Sequence, residues 1–420
     1  ASNNFGSVAA LVGGVNGDGY ADLLVGAYGY SSDTGRVYLY LGGGDAAIPV
    51  FHFADKAGAA CSTISQLDAT WNGQSSVATG TNNVKLQAYR FGATNAWVDQ
   101  DTEATEIADT DFSLTASISA NADEYCNNSW SYWRVYQASG TQTLRSDSWG
   151  LTFTHTTVSG NAYEDETATA LTACDDSTPM ITARIGSTTY GPVACADSDG
   201  AYSMPVALPA TGTPITVYID GVGSTFGATV NTYSGTGNVT QHVRRNRVIV
   251  MQDDSGGNTT NTDLDNWDGG SDCAAGSGDP DVPFCIDSGN LVTDDGIKLI
   301  VNTGDTFAPG GTITTSPSND GTDAVVDGDL EIQTGASLDV NGIAVSVGGD
   351  VAIQAGSSIT TGGNTVTFTA TAAGHTVDFG AESLNHVVFN GTGGGWTLTV
   401  SDGLMTLNDL TVTAGTLTSA

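Results

Sequence analysis

GDLEIQTGASL, residues 328–338, returns as GDVAIQAGSSI, residues 349–359, one step of 21 residues later, with Gly335 and Gly356 in matching places. NDLTVTAGTL, starting at Asn408, repeats the phrase after a longer interval with one residue fewer after Gly415, and GNLVTDDGIKL, starting at Gly289, is a looser fourth copy. Repeats of this length mark stacked β coils, each touching only its neighbours. A solenoid-like region over 311–420 is therefore expected, with an irregular sandwich of duplicated hairpins as the competing fold.

The rest of the chain has the same β character. Turn-forming residues recur roughly every 8–12 positions between short runs of Val, Ile, Thr, Tyr and Phe, and no amphipathic helix of useful length is found. The expected fold class is all-β and multidomain, β-sandwich modules plus the C-terminal solenoid-like or stacked-hairpin region. Borders are expected at 1–48 for a short first module, 49–158 and 159–246 for two sandwiches, 247–310 for an acidic connector and 311–420 for the repeats.

Within 49–158 the strand candidates are Asn83–Phe91, Asp111–Ile118, Trp130–Gln137 and Gly150–His155. In WSYWRVYQ, a period of two puts Trp130, Tyr132, Arg134 and Tyr136 on one face and Trp133 and Val135 on the other. One face is core. An outward aromatic row would stack on sugar rings, whereas aromatic strands are also simply packed. Between 164 and 246 the rhythm is Ig-like, from ATALTAC to GATVNTY. In the connector, Asp253, Asp254, Asp263, Asp265, Asp268 and Asp272 read either as calcium ligands or as a solvated loop rich in turn formers.

Eleven Lys and Arg face 46 Asp and Glu, a net charge of −35. Such a polyanion repels phosphate backbones and anionic lipid, which argues against nucleic acid as a partner. No apolar run is long enough to span a membrane. The six cysteines fall into three neighbouring couples, Cys61/Cys126, Cys174/Cys195 and Cys273/Cys285. Without CxxC or a His/Cys cluster at metal spacing, three local disulfides and an extracellular or cell-surface setting are expected. The chain begins with Ala and reads as a mature or trimmed secreted product. Sequons at Asn127, Asn238, Asn258 and Asn390 permit glycosylation there.

Near the front, VNGDGYADL (Val15–Leu23) lies between strand-like runs. Counted from Gly14, it offers Asn16, Asp18 and Asp22 at alternate positions with the Tyr20 carbonyl among them, and Gly19 permits the turn. Oxygen ligands so spaced wrap a hard cation such as calcium. A tight Asn-Gly-Asp-Gly turn without metal also fits. An EF-hand does not, because Val25 stands where a bidentate Glu is needed.

Phe5-Gly6, this loop, Gly26-Ala27 and Arg36–Tyr40 together resemble the FG-GAP repeat, the blade of integrin-α-type β-propellers, over about residues 5–43. The resemblance implies a structural calcium ion. Gly14 stands in place of the family's first loop aspartate and Tyr28 in place of its proline. A propeller needs about 4–8 blades. One blade must pack on the next domain, pair with another chain or belong to a longer propeller. The 164–246 segment resembles small Ig-like or carboxypeptidase-regulatory-like modules of bacterial surface proteins. The C-terminal phrasing is similar to repeats of large secreted bacterial adhesins and surface-layer-like proteins.

No HExxH, GxSxG or phosphate loop occurs, and His52, His155, His242, His375 and His386 are scattered without a recognisable nucleophile. No enzyme is expected. Arg244, Arg245 and Arg247 form either a docking contact for an acidic partner or a local salt-bridge cluster. The leading expectation is a structural subunit of an extracellular bacterial fibre, a homo-oligomer joined head-to-tail through its two ends by strand completion, with calcium and disulfides as staples. An adhesin or carbohydrate-binding surface protein is the first alternative, with glycans as partners. A secreted polysaccharide-active enzyme is the second.

Overall fold

The 21-residue step is the pairing register of the strands it contains. In the computed structural model, which describes residues 5–12, 22–27, 36–40, 50–80, 82–92, 95–137, 143–175, 177–207, 209–220, 226–235, 237–252, 257–265, 282–294, 296–315, 328–399, 401 and 406–420, Leu330–Ile332 lies parallel to Val351–Ile353. Leu330 is opposite Val351 and Ile332 opposite Ile353. Leu338 is likewise opposite Ile359, and Val345 opposite Val366. All of these side chains are buried, so like sits on like from one repeat to the next. A slip of one residue would turn each of them outward, which fixes the register. Gly335 and Gly356 close equivalent corners with φ of +71°, a conformation that costs other residues strain.

The chain clusters into two units, Ala1–Thr156 with Pro205–Ala207, and Thr157–Met204 with Leu208–Ala420. Besides the short parallel pairings of Thr157–Tyr163 with Val239–Thr240 and Val243–Arg244, three parallel ladders organise the described strands of the second unit. One runs through Ala228–Thr232, Arg247–Val250, Lys298–Val301, Leu330–Ile332, Val351–Ile353 and Ala373–Asp378. Another runs through Asn290–Thr293, Ile313–Thr315, Val345–Val347 and Thr365–Phe368 to His386–Phe389. The short third joins Thr306–Phe307, Ser337–Asp339 and Ser358–Thr360. Phe368 stacks on Phe389 at 4.7 Å, one step apart in register. The first ladder begins inside the Ig-like segment, where Ile181–Ile185, Pro214–Ile219 and Ala228–Thr232 pair antiparallel. It therefore runs through the borders expected at 246 and 310.

The two looser copies of the repeat are shifted by one ladder. GDLEI and GDVAI contribute strands to the first ladder, whereas the Asn290–Thr293 strand of GNLVTDDGIKL and the Asp409–Val412 stretch of NDLTVTAGTL belong to the second. A strand, a glycine corner and a second strand recur in each repeat, so the phrase marks the unit without marking the ladder.

A charged column follows the first ladder. The Lys298 ammonium lies 2.5 Å from Glu331 Oε2 and 3.0 Å from Glu166 Oε1, and Arg247 Nε reaches Glu166 Oε1 at 2.9 Å. Arg245 pairs with Glu164 at 3.2 Å, while Arg244 donates to the Asp165 carbonyl and covers the Tyr163 ring at 5.2 Å. All three arginines of the basic triplet thus engage residues 163–166, the local-cluster reading. Cys174 and Cys195 are disulfide-bonded in this unit. Cys285 is also in a disulfide, its partner outside the described residues.

The first unit is a two-sheet sandwich. Strands β1 (Phe5–Val12), β2 (Asp22–Ala27), β3 (Arg36–Tyr40), β4 (Val50–Lys56), β5 (Ile64–Ser75), β6 (Val84–Arg90), β7 (Ala96–Glu103), β8 (Asp111–Ile118), β9 (Trp130–Gln137) and β10 (Leu144–His155) are ordered β1-β2-β3-β4-β9-β6-β7 in one sheet and β10-β5-β8 in the other. The border expected at 48 is crossed by the β3–β4 pairing, Leu39 opposite His52. Trp71, Trp133, Trp149, Phe53 and Phe112 fill the core between the sheets. Each buried indole N–H is satisfied: Trp71 donates to Ser146 Oγ at 2.9 Å, Trp133 to Ser131 Oγ at 2.8 Å and Trp149 to Asp55 Oδ2 at 2.6 Å. Cys61 and Cys126 are bonded across a 65-residue separation.

Asp329 is the misfit in the charged column. Burial first, then the Asp350 charge, push its carboxyl up to about 6 from an ordinary 3.8. The folded state therefore binds its proton more tightly than the unfolded chain, and stability falls as pH rises from about 4 to about 6. Asn keeps an oxygen to accept from the Asp350 N–H, 2.7 Å away, and carries no charge. Asp329→Asn is expected to stabilise the full chain by about 1–3 kcal/mol at pH 7.5, with the gain fading toward pH 4. Denaturant melts at the two pH values measure it.

Candidate functional site

Alternation along β9 sends Trp133 and Val135 into the core and leaves Trp130, Tyr132, Arg134 and Tyr136 on the outer face of the seven-stranded sheet. Tyr132 is 41 % exposed. The register then assembles a row of polar side chains across four strands: His52 of β4 is opposite Arg134 of β9, Arg134 opposite Gln87 of β6, and Gln87 opposite Asp99 of β7. Arg134 Nε donates to Gln87 Oε1 at 2.6 Å. Gln87 Nε2 donates to Asp99 Oδ1, and Lys85 Nζ lies 2.5 Å from Asp99 Oδ2.

Aromatic rings surround this row. The Arg134 guanidinium lies 4.5 Å from the Trp97 ring centre and 5.0 Å from that of Tyr136. Trp97 meets Tyr89 edge-on at 5.2 Å and His52 at 5.6 Å, and Phe91 reaches Tyr132 at 5.9 Å. Trp97, Tyr89, Phe91 and Tyr136 are half-buried, so their rings are held in place while part of each still meets solvent.

Burial, reinforced by the Arg134 charge, lowers the His52 imidazole to about 4, so it is neutral at pH 7. Burial also lowers Arg134, against the pull of Tyr136 and Asp99, yet a guanidinium starts so high that it stays charged. Burial alone would raise Asp99, but the bonds from Lys85 and Gln87 outweigh it and hold the carboxyl below its usual range. The face thus joins flat apolar surfaces to fixed donors and acceptors, the makings of recognition for a ligand carrying both C–H faces and hydroxyls.

The other sequence candidates do not converge here. Asn16, Asp18 and Tyr20 lie outside the described residues, and of Asp22 only its place at the start of β2 is described. Asp263 accepts from the Thr260 N–H and hydroxyl beside the short helix Asn261–Asp265. Asp253, Asp254, Asp268, Asp272 and Cys273 lie outside the described residues. The sequon residues Asn127, Asn238, Asn258 and Asn390 are all exposed. His375 pairs with Asp350 at 3.1 Å and His386 with Asp409 at 2.9 Å, both in the other unit.

Lys85, Gln87, Tyr89, Phe91, Trp97 and Asp99 are not singled out by the sequence, and His52 stands there only as a scattered histidine. Strands β4 and β7 were not among the strand candidates, because neither carries a dense β-branched run. The alternation of Trp97, Asp99 and Asp101 with Val98 and Gln100 is the signal that marks β7.

Residues 5–40 match the FG-GAP repeat. No curated protein matches the chain. Among solved structures, the CBM22-1 and GH10 modules of endo-1,4-beta-D-xylanase 10B from Clostridium thermocellum, complexed with xylohexaose, align at 14 % identity and a TM-score of 0.18. The alignment covers 39 % of this chain and 31 % of that one, less than a third of its length. A likeness of this depth carries no argument about fold or ligand.

Proposed function

We propose that this is an extracellular, multidomain surface protein whose first unit binds glycans on the outer face of β9, β6 and β7. The observation that carries the reading is the placement of Trp97, Tyr89, Tyr132 and Tyr136 around the Arg134–Gln87–Asp99 row, outside the core that Trp71, Trp133 and Trp149 already fill. Sugar rings present an apolar C–H face to aromatic surfaces and equatorial hydroxyls to side-chain amides and charges. The disulfides suit an oxidising compartment. The filament expected from the sequence rests on the two chain ends, from which nothing follows, and the aromatic face takes precedence.

Binding here changes no bond. Turnover of any bound oligosaccharide by the full chain would overturn that part of the proposal. Calcium at Asn16, Asp18, the Tyr20 carbonyl and Asp22 belongs to the same reading, supported by the FG-GAP match. Added calcium is expected to raise the melting temperature of the full chain, and Asp18→Asn to remove the rise.

A glycan array probed with the full chain tests the central claim. Tyr132→Ala and Trp97→Ala are each expected to weaken binding by tenfold or more, about 1.4 kcal/mol, with the melting curve of the exposed-site Tyr132 variant unchanged. Array binding that survives both changes would move the site elsewhere.

The neutral His52 sets a pH limit on this unit. Its folded value of about 4 lies below the ordinary 6.5, so the unfolded chain takes up the proton first as pH falls. Stability is expected to drop between pH 6.5 and 4 by up to about 1.4 kcal/mol per pH unit. His52→Gln should flatten that slope, as read from denaturation at half-unit intervals.

A further inference from the structure

Arg134 is charged, centrally placed and incompletely used. Its Nε is committed to Gln87, and neither Nη1 nor Nη2 has a hydrogen-bond partner among the described residues. Asp99, the carboxylate in the same row, is occupied: one oxygen accepts from Gln87 and the other from Lys85. Elsewhere in this acidic chain several cations are spent on carboxylates, as in Arg90–Glu124, Arg245–Glu164, Arg247–Glu166 and Lys298–Glu331, and Arg244, which also covers a ring, commits Nη1 to the Asp165 carbonyl. Arg134 has no ion-pair partner among the described residues: beside the Gln87 amide it is flanked by the ring faces of Trp97 and Tyr136, and Asp99 acts on it only from a distance.

From this we infer that the glycan bound on this face carries a carboxylate, a uronic acid, which takes the open fork of Arg134 while its ring lies against Trp97. The inference rests on the glycan reading above and adds the ligand's charge to it. A guanidinium fork matches a carboxylate with two parallel charge-assisted bonds. The pair would form beside aromatic surfaces that exclude part of the water, where such bonds strengthen. Gln87 fixes the Nε edge, so the plane of the fork is set before the ligand arrives and less side-chain freedom is lost on binding. The chain's net charge of −35 opposes an anionic ligand at long range. That opposition is screened beyond about 8 Å in physiological salt, leaving the local fork to decide.

The test is calorimetric titration of the full chain, in about 0.15 M salt, with oligosaccharides of galacturonic, glucuronic and mannuronic acid, each beside its methyl ester. The ester keeps ring and hydroxyls and removes only the charge. At least one acid is expected to bind tenfold or more tightly than its ester. Arg134→Gln should bring the two within about twofold, while Trp97→Ala weakens both. Arg134→Lys, which keeps the charge without the fork, should lose most of the preference and serves if the Gln variant does not fold. Equal binding of acid and ester throughout, or a preference that survives both Arg134 variants, overturns this inference and leaves glycan binding standing. No binding to any oligosaccharide, charged or neutral, overturns both.

Discussion

Main-chain hydrogen bonding at open strand edges is the constraint from which this architecture follows. A strand that pairs on one side presents unpaired N–H and C=O groups on the other, and those groups must meet water or another strand. In the first unit the three strands of the FG-GAP segment leave such an edge, and β4 takes it. From there the same sheet continues through β9, β6 and β7, so the segment with the family resemblance and the strands bearing the aromatic face form one hydrogen-bonded surface. In the second unit the antiparallel strands of the Ig-like segment end at Ala228–Thr232, and parallel strands continue from that edge.

The scarcity of positive charge shapes both units. In the second unit the ion-paired Lys and Arg among the described residues hold segments that are distant in sequence, as Lys298 does between Glu166 and Glu331. Half-buried pairs of this kind are strongly destabilised when one partner is removed, because the other charge is left without compensation. The column along the first ladder therefore acts as a set of interlocks. Arg134 and Arg244 depart from the pattern by covering ring faces; Arg244 commits an Nη to a backbone carbonyl, whereas the Nη atoms of Arg134 have no hydrogen-bond partner among the described residues.

Much of this was legible in the residues. The 21-residue step equals the pairing register because each buried Leu, Ile or Val must lie over its counterpart. The alternation in WSYWRVYQ sorts Trp133 and Val135 from Tyr132 and Arg134 correctly because a strand has only two faces. What escaped needed information that spans the sheet. Trp97 lies over Arg134 although the two strands are not neighbours, and Gln87 stands between Arg134 and Asp99 only through strand order. The ladder to which a loose repeat belongs was hidden for a related reason: the glycine corners that precede strands of different ladders place the same demands on local sequence.

Because the first and second ladders advance by 21 residues between the 328 and 349 repeats, a whole step is an exchangeable segment. Duplicating one in-frame unit there leaves the strand above and the strand below with apolar faces of the same kind to meet, whereas deleting the 328–348 unit would set Ala352 in the place of Glu331 and cost Lys298 a partner. An array of this kind can gain a step by an in-frame duplication that would ruin an ordinary core. Its dimensions can thus drift over generations while the aromatic face, built on strands with no internal repeat, stays untouched.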